Sequence, residues 1–400
     1  MKRMKRMLLL YSLFLTLVWG YFHCMYSLNT LGDTKYAAYG HASYFTSVTF
    51  TWFFLWMVWN SSYFHTVIHR IERRFLKEWQ RSIAFGLSFT ALYQLCKLPL
   101  QLLRFQLSKW ANVRHQSLAD WLLDWSMQSI SYVVLITFLL TITRFCMQKF
   151  QKHWWIGVWL WLLPFALFVL YVQPIWIDPL FDEVTPLREN DVSTAIVELA
   201  KGAGISQADL YEVEMSEKTT TFNAYVTGIG PHHRIVLWDT MLEQMESEEI
   251  LFIVAHEIGH YVMDHIHWGI VGYLLLSMVI LYLIAKFYPV VFRLATRRFR
   301  LKSWIELRAL PILLLLASML MFTVRPMALY VSREMEIEAD RYAIQHTENL
   351  NAAIESYESL AKASQSDMDP AWWIKWTRYT HPPIAERIEY IEQIQREKSE

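Results

Sequence analysis

Charge is scarce in this sequence. Asp, Glu, Lys and Arg make up 18% of its 400 residues, against about a quarter in soluble globular domains. The two signs balance at 37 each, so no excess charge points to nucleic acid as a partner. Cysteine is scarcer still. Cys24, Cys96 and Cys146 are an odd number scattered through apolar stretches, which excludes a disulfide framework and a cysteine-based zinc finger. They read as small buried hydrophobes. What the sequence has in quantity is apolar and aromatic surface: 54% hydrophobic residues, with 19 Trp and 21 Tyr, a composition suited to two membrane–water interfaces.

A helix needs about 20 mainly apolar residues to cross a bilayer. Met7–Leu28, Tyr44–Ile68, Ser126–Thr143, Trp154–Val172 and Trp268–Ala285 contain no Lys, Arg, Asp or Glu. Ala309–Val324 is a shorter apolar core, and Ile83–Leu103 is a weaker candidate interrupted by Lys97 and Pro99. Lys97 reads either as a snorkelling interfacial residue or as the lining of a wet cavity. The basic Lys2–Arg6 run precedes an uncharged stretch too long for a signal peptide and without a cleavage signature, so a retained anchor is expected. The predicted class is mainly α: a polytopic membrane helix bundle of about seven spans with a small α/β domain. It divides into membrane region 1–173 with five spans, polar segment 174–265, two further spans in 266–330, and C-terminal helical segment 331–400.

Loops sorted by side give 17 Lys and Arg on one face (N-terminus, His69–Arg81, Arg144–Lys152, Pro289–Ser303) and four on the other (Asn29–Ser43, Arg104–Trp125). The positive-inside rule then puts the N-terminus in the cytoplasm of a cell-membrane protein, with both large polar segments on the opposite face. The bilayer is therefore one partner, and no partner protein is inferred.

Within 174–265 the pattern turns to ordinary α/β. A helix is predicted over Asp191–Ala203, strands over Phe222–Val226 and Arg234–Trp238 around a turn at Gly228–Pro231, and a helix capped by Ser247. That helix carries His256-Glu257-Ile258-Gly259-His260. Residues i and i+4 share a helix face, so both imidazoles can reach one ion. Glu257, rotated by about 100°, borders the ion as a general base for water. A catalytic zinc needs a third protein ligand. The position six residues after His260 is Ile266, and His265 and His267 flank it out of phase on a continued helix. Downstream, Ser332-Arg333-Glu334-Met335-Glu336-Ile337-Glu338-Ala339-Asp340 reads as one helix. Glu336 can ligate the metal while Asp340, on the same face, orients a ligand histidine. Glu334 and Glu338 point elsewhere.

This ordered set resembles the type I CAAX prenyl endopeptidases, seven-span membrane zinc proteases. The likeness rests on HEIGH followed by two spans and SREMEIEADRYA, and on three further blocks: Pro179-Leu180-Phe181-Asp182 with Thr185-Pro186-Leu187, Asn223-Ala224-Tyr225 to Asp239-Thr240, and His381-Pro382-Pro383 with Glu386-Arg387. It covers about 175–390. The resemblance implies one zinc per chain on His256, His260 and Glu336. It implies Glu257 as the base that also protonates the leaving amine, and Asp340 as a second catalytic or orienting acid. His381 becomes a catalytic oxyanion or substrate contact. Asn223 is implied on an edge strand that pairs with a polypeptide substrate, and Arg333 as a substrate-side residue paired to an acid near the metal. The resemblance implies zinc-dependent endopeptidase action; the basic loops put the site on the face opposite the cytoplasm, where the expected substrates are membrane-associated or exported polypeptides rather than prenylated CAAX proteins. The alternatives are a cytoplasm-facing CAAX-type processing protease, a membrane chaperone chamber with structural zinc, and a metal-free relic.

Overall fold

The computed structural model describes residues 2–168, 184–205, 208–229, 232–296, 301 and 303–399. The Pro179–Asp182 block, the end of the Trp154–Val172 candidate and part of the Gly228–Pro231 turn lie outside them. The membrane part starts with α1 (Lys2–Gly20), α2 (Tyr36–Asn60) and α3 (Ser62–Arg74), and continues through α4 (Glu78–Trp110), α5 (Leu118–Phe150) and α6 (Trp154–Leu167). Among the described residues, five stretches are long and apolar enough to span a bilayer: Met4–Met25, Glu78–Trp110, Leu118–Leu167, His265–Leu294 and Leu307–His346. Leu118–Leu167 contains both α5 and α6, separated by a single tight turn at Gln151–His153. Helix α2 is not among the five; its Tyr, Trp, Ser and Thr lower its mean hydropathy.

Two sequence boundaries move. The second candidate was expected to run to Ile68. It stops at Asn60, because Ser61 turns extended and its side chain accepts a hydrogen bond from the Phe64 amide (3.3 Å), starting the amphipathic α3. Lys97 and Pro99 were read as interruptions but lie inside the continuous 33-residue α4. Lys97 Nζ is 5.6 Å from the Tyr93 ring centroid, a cation–π contact that shelters its charge. The membrane core is aromatic: Phe54, Phe85, Phe89 and Trp154 pack with Met147 and Tyr288.

The polar part supplies a four-stranded sheet, β1 (Val184–Pro186), β2 (Ala208–Val213), β3 (Ala224–Ile229) and β4 (His232–Trp238), in the order β1-β2-β4-β3. The β2–β4 pair is parallel and the outer pairs are antiparallel, leaving β3 an edge strand. Helix α7 (Asp191–Gly202) begins at an Asn190 cap, and α8 (Asp239–Gln244) leads into α9 (Ser247–Val262). The cap of α9 is Glu246 rather than Ser247.

Helix α9 is apolar on two faces. Ile250, Val254 and Ile258 pack on Val226, Ile235 and Leu237 of the sheet. Phe252 and Ala255 pack against Ala343, Ala353 and Tyr357. The second group comes from α11 (Leu310–His346) and α12 (Leu350–Ser364), which follow α10 (His265–Thr296); α13 (Trp372–Arg378) and α14 (Ile384–Ser399) close the chain. Helix α11 is continuous across position 330. Glu336 lies 26 residues beyond Leu310, about 39 Å along the axis at 1.5 Å per residue. That exceeds the ~30 Å hydrocarbon thickness, so one helix both crosses the membrane and presents an acid beyond it.

Candidate active site

Gly259 sets the spacing of the site. A Cβ there would lie 3.0 Å from Tyr342 Cβ, so its absence lets α9 and α11 approach closely. Their contact brings His256, His260 and Glu336 together. The Nε2 atoms of the two histidines are 3.2 Å apart. Glu336 Oε2 is 3.3 Å from His256 Nε2, and Oε1 is 3.4 Å from His260 Nε2. A tetrahedral ion with bonds near 2.05 Å has donor–donor edges of about 3.3 Å. The donor set and its spacing thus fit one divalent ion with a position left open.

Each imidazole is held from behind. Asp340 Oδ1 lies 2.8 Å from His256 Nδ1, so Nδ1 carries the proton and the Nε2 lone pair faces the other donors. Burial lowers the His256 pKa, but hydrogen bonds to Asp340 and Glu336 outweigh it and push it up to about 9, so an ion takes the Nε2 lone pair in exchange for a proton. For His260 the support is a histidine. Its Nδ1 is 2.9 Å from His265 Nδ1, and His265 Nε2 is 3.1 Å from Glu338 Oε2. The Glu338 carboxylate accepts from His265 Nε2–H, so His265 Nδ1 is an acceptor and His260 Nδ1 donates to it. The His260 Nε2 lone pair is thereby directed at the site.

Neither His265 nor Glu338 was expected in this role. Helix α9 ends at Val262 and Asp264 adopts a left-handed backbone (φ 56°), so counting helical phase past that point fails. The signal available was a histidine five residues after the motif and a glutamate two after Glu336. Glu338 does point away from the metal donors, as expected, but onto His265.

Asp340 is buried under a second pair the sequence did not reveal. Tyr357 Oη donates to its Oδ1 at 2.6 Å and Arg387 Nε to its Oδ2 at 2.8 Å. The guanidinium lies 4.1 Å over the Tyr357 ring. Burial opposes the Arg387 charge, and Asp340 overrides it and holds Arg387 protonated.

Glu257 faces a cleft of about 340 Å³ lined by Asn223, His256, Tyr379, His381 and Arg387. Burial raises its carboxyl pKa, which His256 and His260 only partly offset. Asn223 is exposed at the start of β3, and its carbonyl accepts from the Trp238 amide (3.0 Å). His381 is 60% exposed with Nδ1 2.7 Å from Glu336 Oε2. Arg333 was expected to pair with an acid near the metal. It is buried and donates instead to the carbonyls of Lys375 (3.3 Å) and Tyr379 (2.9 Å), with its guanidinium 5.2 Å from the Trp376 ring centroid. It thus clamps the segment leading to His381.

The family model described as peptidase family M48 matches residues 186–395, and that of the CAAX prenyl protease N-terminal region with five membrane helices matches 3–183. The chain belongs to peptidase family M48, within its CAAX prenyl protease group. It is 39% identical over 352 residues to an uncharacterized metalloprotease, YhfN, of Bacillus subtilis, covering 87% of this chain and 82% of that protein. It is 28% identical to a CAAX prenyl protease 1 homolog of Arabidopsis thaliana (62% of this chain, 58% of that protein) and 26% to CAAX prenyl protease 1 of Saccharomyces cerevisiae (61% and 56%). The S. mikatae Ste24p crystal structure shares the fold at a TM-score of 0.72 and 20% identity, covering 96% of both chains. An M48 member with these membrane helices is a multi-pass membrane metalloprotease, and its family implies a metal.

Proposed function

We propose that this chain is a zinc endopeptidase that cleaves membrane-associated or exported polypeptides, with His256, His260 and Glu336 holding one zinc. The observation that carries the reading is the donor cluster: the two histidine Nε2 atoms lie 3.2 Å apart, with Glu336 Oε2 3.3 Å from His256 and Oε1 3.4 Å from His260, a spacing that suits one tetrahedral ion. Three protein donors leave a coordination position open, whereas structural zinc sites are closed by four. Zinc bound there supplies Lewis acidity to a peptide carbonyl and lowers the pKa of water to ~7.

The remaining chemistry falls to the chain. Glu257 takes a proton from the attacking water at its carboxylate. As the new C–O bond forms and the C–N bond breaks, Glu257 returns that proton to the departing amine nitrogen. Its raised pKa suits it to both transfers. Asp340 and the His265–Glu338 pair hold the two imidazoles in their donor tautomers. The exposed edge of β3, with Asn223 immediately before it, pairs with an extended substrate backbone, and His381 faces the cleft as a substrate or oxyanion contact. Arg333 acts at a distance, by fixing the segment that carries His381.

The basic loops support a catalytic face opposite the cytoplasm. A second reading, CAAX-type processing at a cytoplasmic face, is favoured by the names of the eukaryotic relatives. Glu257→Gln tests the central claim: the variant should retain its zinc and lose peptide turnover.

A further inference from the structure

Beside the catalytic cleft lies a second cavity of about 150 Å³, formed where α2 and α4 meet the chain around α13. Tyr36, His41, Arg104 and Arg378 line it, and Asp367 and Tyr379 line both it and the cleft. The two spaces therefore share a wall. A Cβ at Gly40 would lie 3.3 Å from Arg378 Nη2, so the glycine leaves room for the guanidinium.

The charges in this cavity do not balance. Two guanidiniums line it with one carboxylate, which is engaged through Oδ2 while its Oδ1 is buried without a hydrogen-bond partner. Asp367 Oδ2 accepts from Tyr26 Oη at 2.6 Å and from His41 Nε2 at 3.0 Å. Because Nε2 donates, His41 Nδ1 accepts from Arg378 Nη1, and the ring between the two charges is neutral. Among the described residues neither Arg104 nor Arg378 forms an ion pair, and burial together with the like charge of Arg104 lowers the Arg378 pKa. The half-buried Arg378 guanidinium, lacking a partner acid, carries part of the cost of a desolvated charge, and an entering anion offsets it.

We propose that this cavity anchors a carboxylate of the polypeptide being cleaved, through Arg104 at its mouth and Arg378 at its base. The proposal rests on the endopeptidase reading above. The cavity is about half the lower bound of ordinary small-molecule pockets, enough for an end group but not for a phosphodiester headgroup with its glycerol. Its shared residues Asp367 and Tyr379 place it directly beside the cleft that a substrate would occupy. A carboxylate is bound bidentately by the planar fork of arginine.

The carboxylate can belong to a free C-terminus or to an acidic side chain, and binding measurements separate the two. Zinc-loaded Glu257→Gln protein in phosphatidylcholine nanodiscs is titrated, by fluorescence anisotropy, with a labelled neutral peptide as free acid, as C-terminal amide, and as amide with an Asp near its end. At least one carboxylate form should bind roughly tenfold or more tightly than the neutral amide, the scale of one charge-assisted contact. Whichever form gains names the source. Adding Arg104→Gln, at an exposed position that leaves the fold intact, should collapse that preference, and Arg104→Lys should restore part of it. Arg378→Gln is the deeper second variant. Equal affinity for all three peptides, or a preference unchanged by Arg104→Gln, overturns the proposal. So does loss of the preference when phosphatidylglycerol replaces phosphatidylcholine, which marks a net-anionic lipid headgroup as the occupant. If wild-type zinc protein cleaves none of the peptides while the binding preference persists, the anchor stands and the endopeptidase reading fails.

Discussion

Replacing His265 by alanine removes the acceptor that fixes His260 without touching any metal donor. In the structure His260 Nδ1 faces His265 Nδ1 at 2.9 Å, and His265 is fixed in turn by Glu338 at 3.1 Å. Without that acceptor the His260 ring is free to rotate or to change tautomer, either of which turns its lone pair away from the site. Losing such a supporting partner costs about 10- to 100-fold in metal affinity, or roughly 1.4–2.8 kcal/mol. His265→Asn should recover much of this, because its Oδ1 can accept from His260 Nδ1–H. Glu338→Gln should cost less than His265→Ala, since an amide oxygen still accepts from His265 Nε2 and the Glu338 side chain is 57% exposed. The assay is competition for zinc against a chromogenic chelator in detergent solution. If His265→Ala holds zinc as tightly as wild type, or if Glu338→Gln is the more damaging change, the relay has no role in holding His260.

Three further outcomes follow from other parts of the molecule. Asp340→Asn strands the buried Arg387 and should destabilise the protein by about 3–5 kcal/mol; the double variant with Arg387→Met should melt above the single one, and the opposite order would remove Asp340 from its pairing role. Burial raises the Glu249 pKa, with Glu355 and Glu246 adding to it against a Ser359 hydrogen bond. The fold therefore favours the protonated form, so stability rises as pH falls through the folded-state pKa towards the unfolded one. Glu249→Gln should raise the melting temperature at neutral pH and flatten that part of the pH profile, and an unchanged profile would show that Glu249 is solvated. Finally, a cysteine at exposed Lys362, in a chain lacking Cys24, Cys96 and Cys146, should react with an impermeant maleimide on intact cells; protection there reverses the orientation and favours the cytoplasm-facing reading.

Much of this site was visible in the sequence because its donors lie within unbroken helices. His256 and His260, and again Glu336 and Asp340, are i and i+4 pairs whose relative direction is fixed by helical pitch alone. Gly259 was quoted only as a motif letter, yet it decides how near the two helices come. His265 escaped because the left-handed Asp264 resets the phase, and a periodic reading continues α9 straight on. Arg387 and Tyr357 escaped for a different reason: they meet Asp340 from two other helices, 47 and 17 residues away, and no local period encodes such a contact. The same limit applies to Arg333, whose helix position was foreseen but whose carbonyl partners lie in α13 and at the residue that follows it. Among the spans, hydropathy located the apolar centres and misjudged the ends. Ser61 stops one helix through a single side-chain hydrogen bond, while Lys97 and Pro99 fail to stop another that Tyr93 and the surrounding membrane helices support.

The most direct test measures zinc content and peptide cleavage on the same preparations of wild-type and Glu257→Gln protein. Elemental analysis should find one zinc per chain in both, with cleavage by the wild type alone. Equal cleavage by the two proteins, or a wild type that cleaves without binding zinc, would contradict the account.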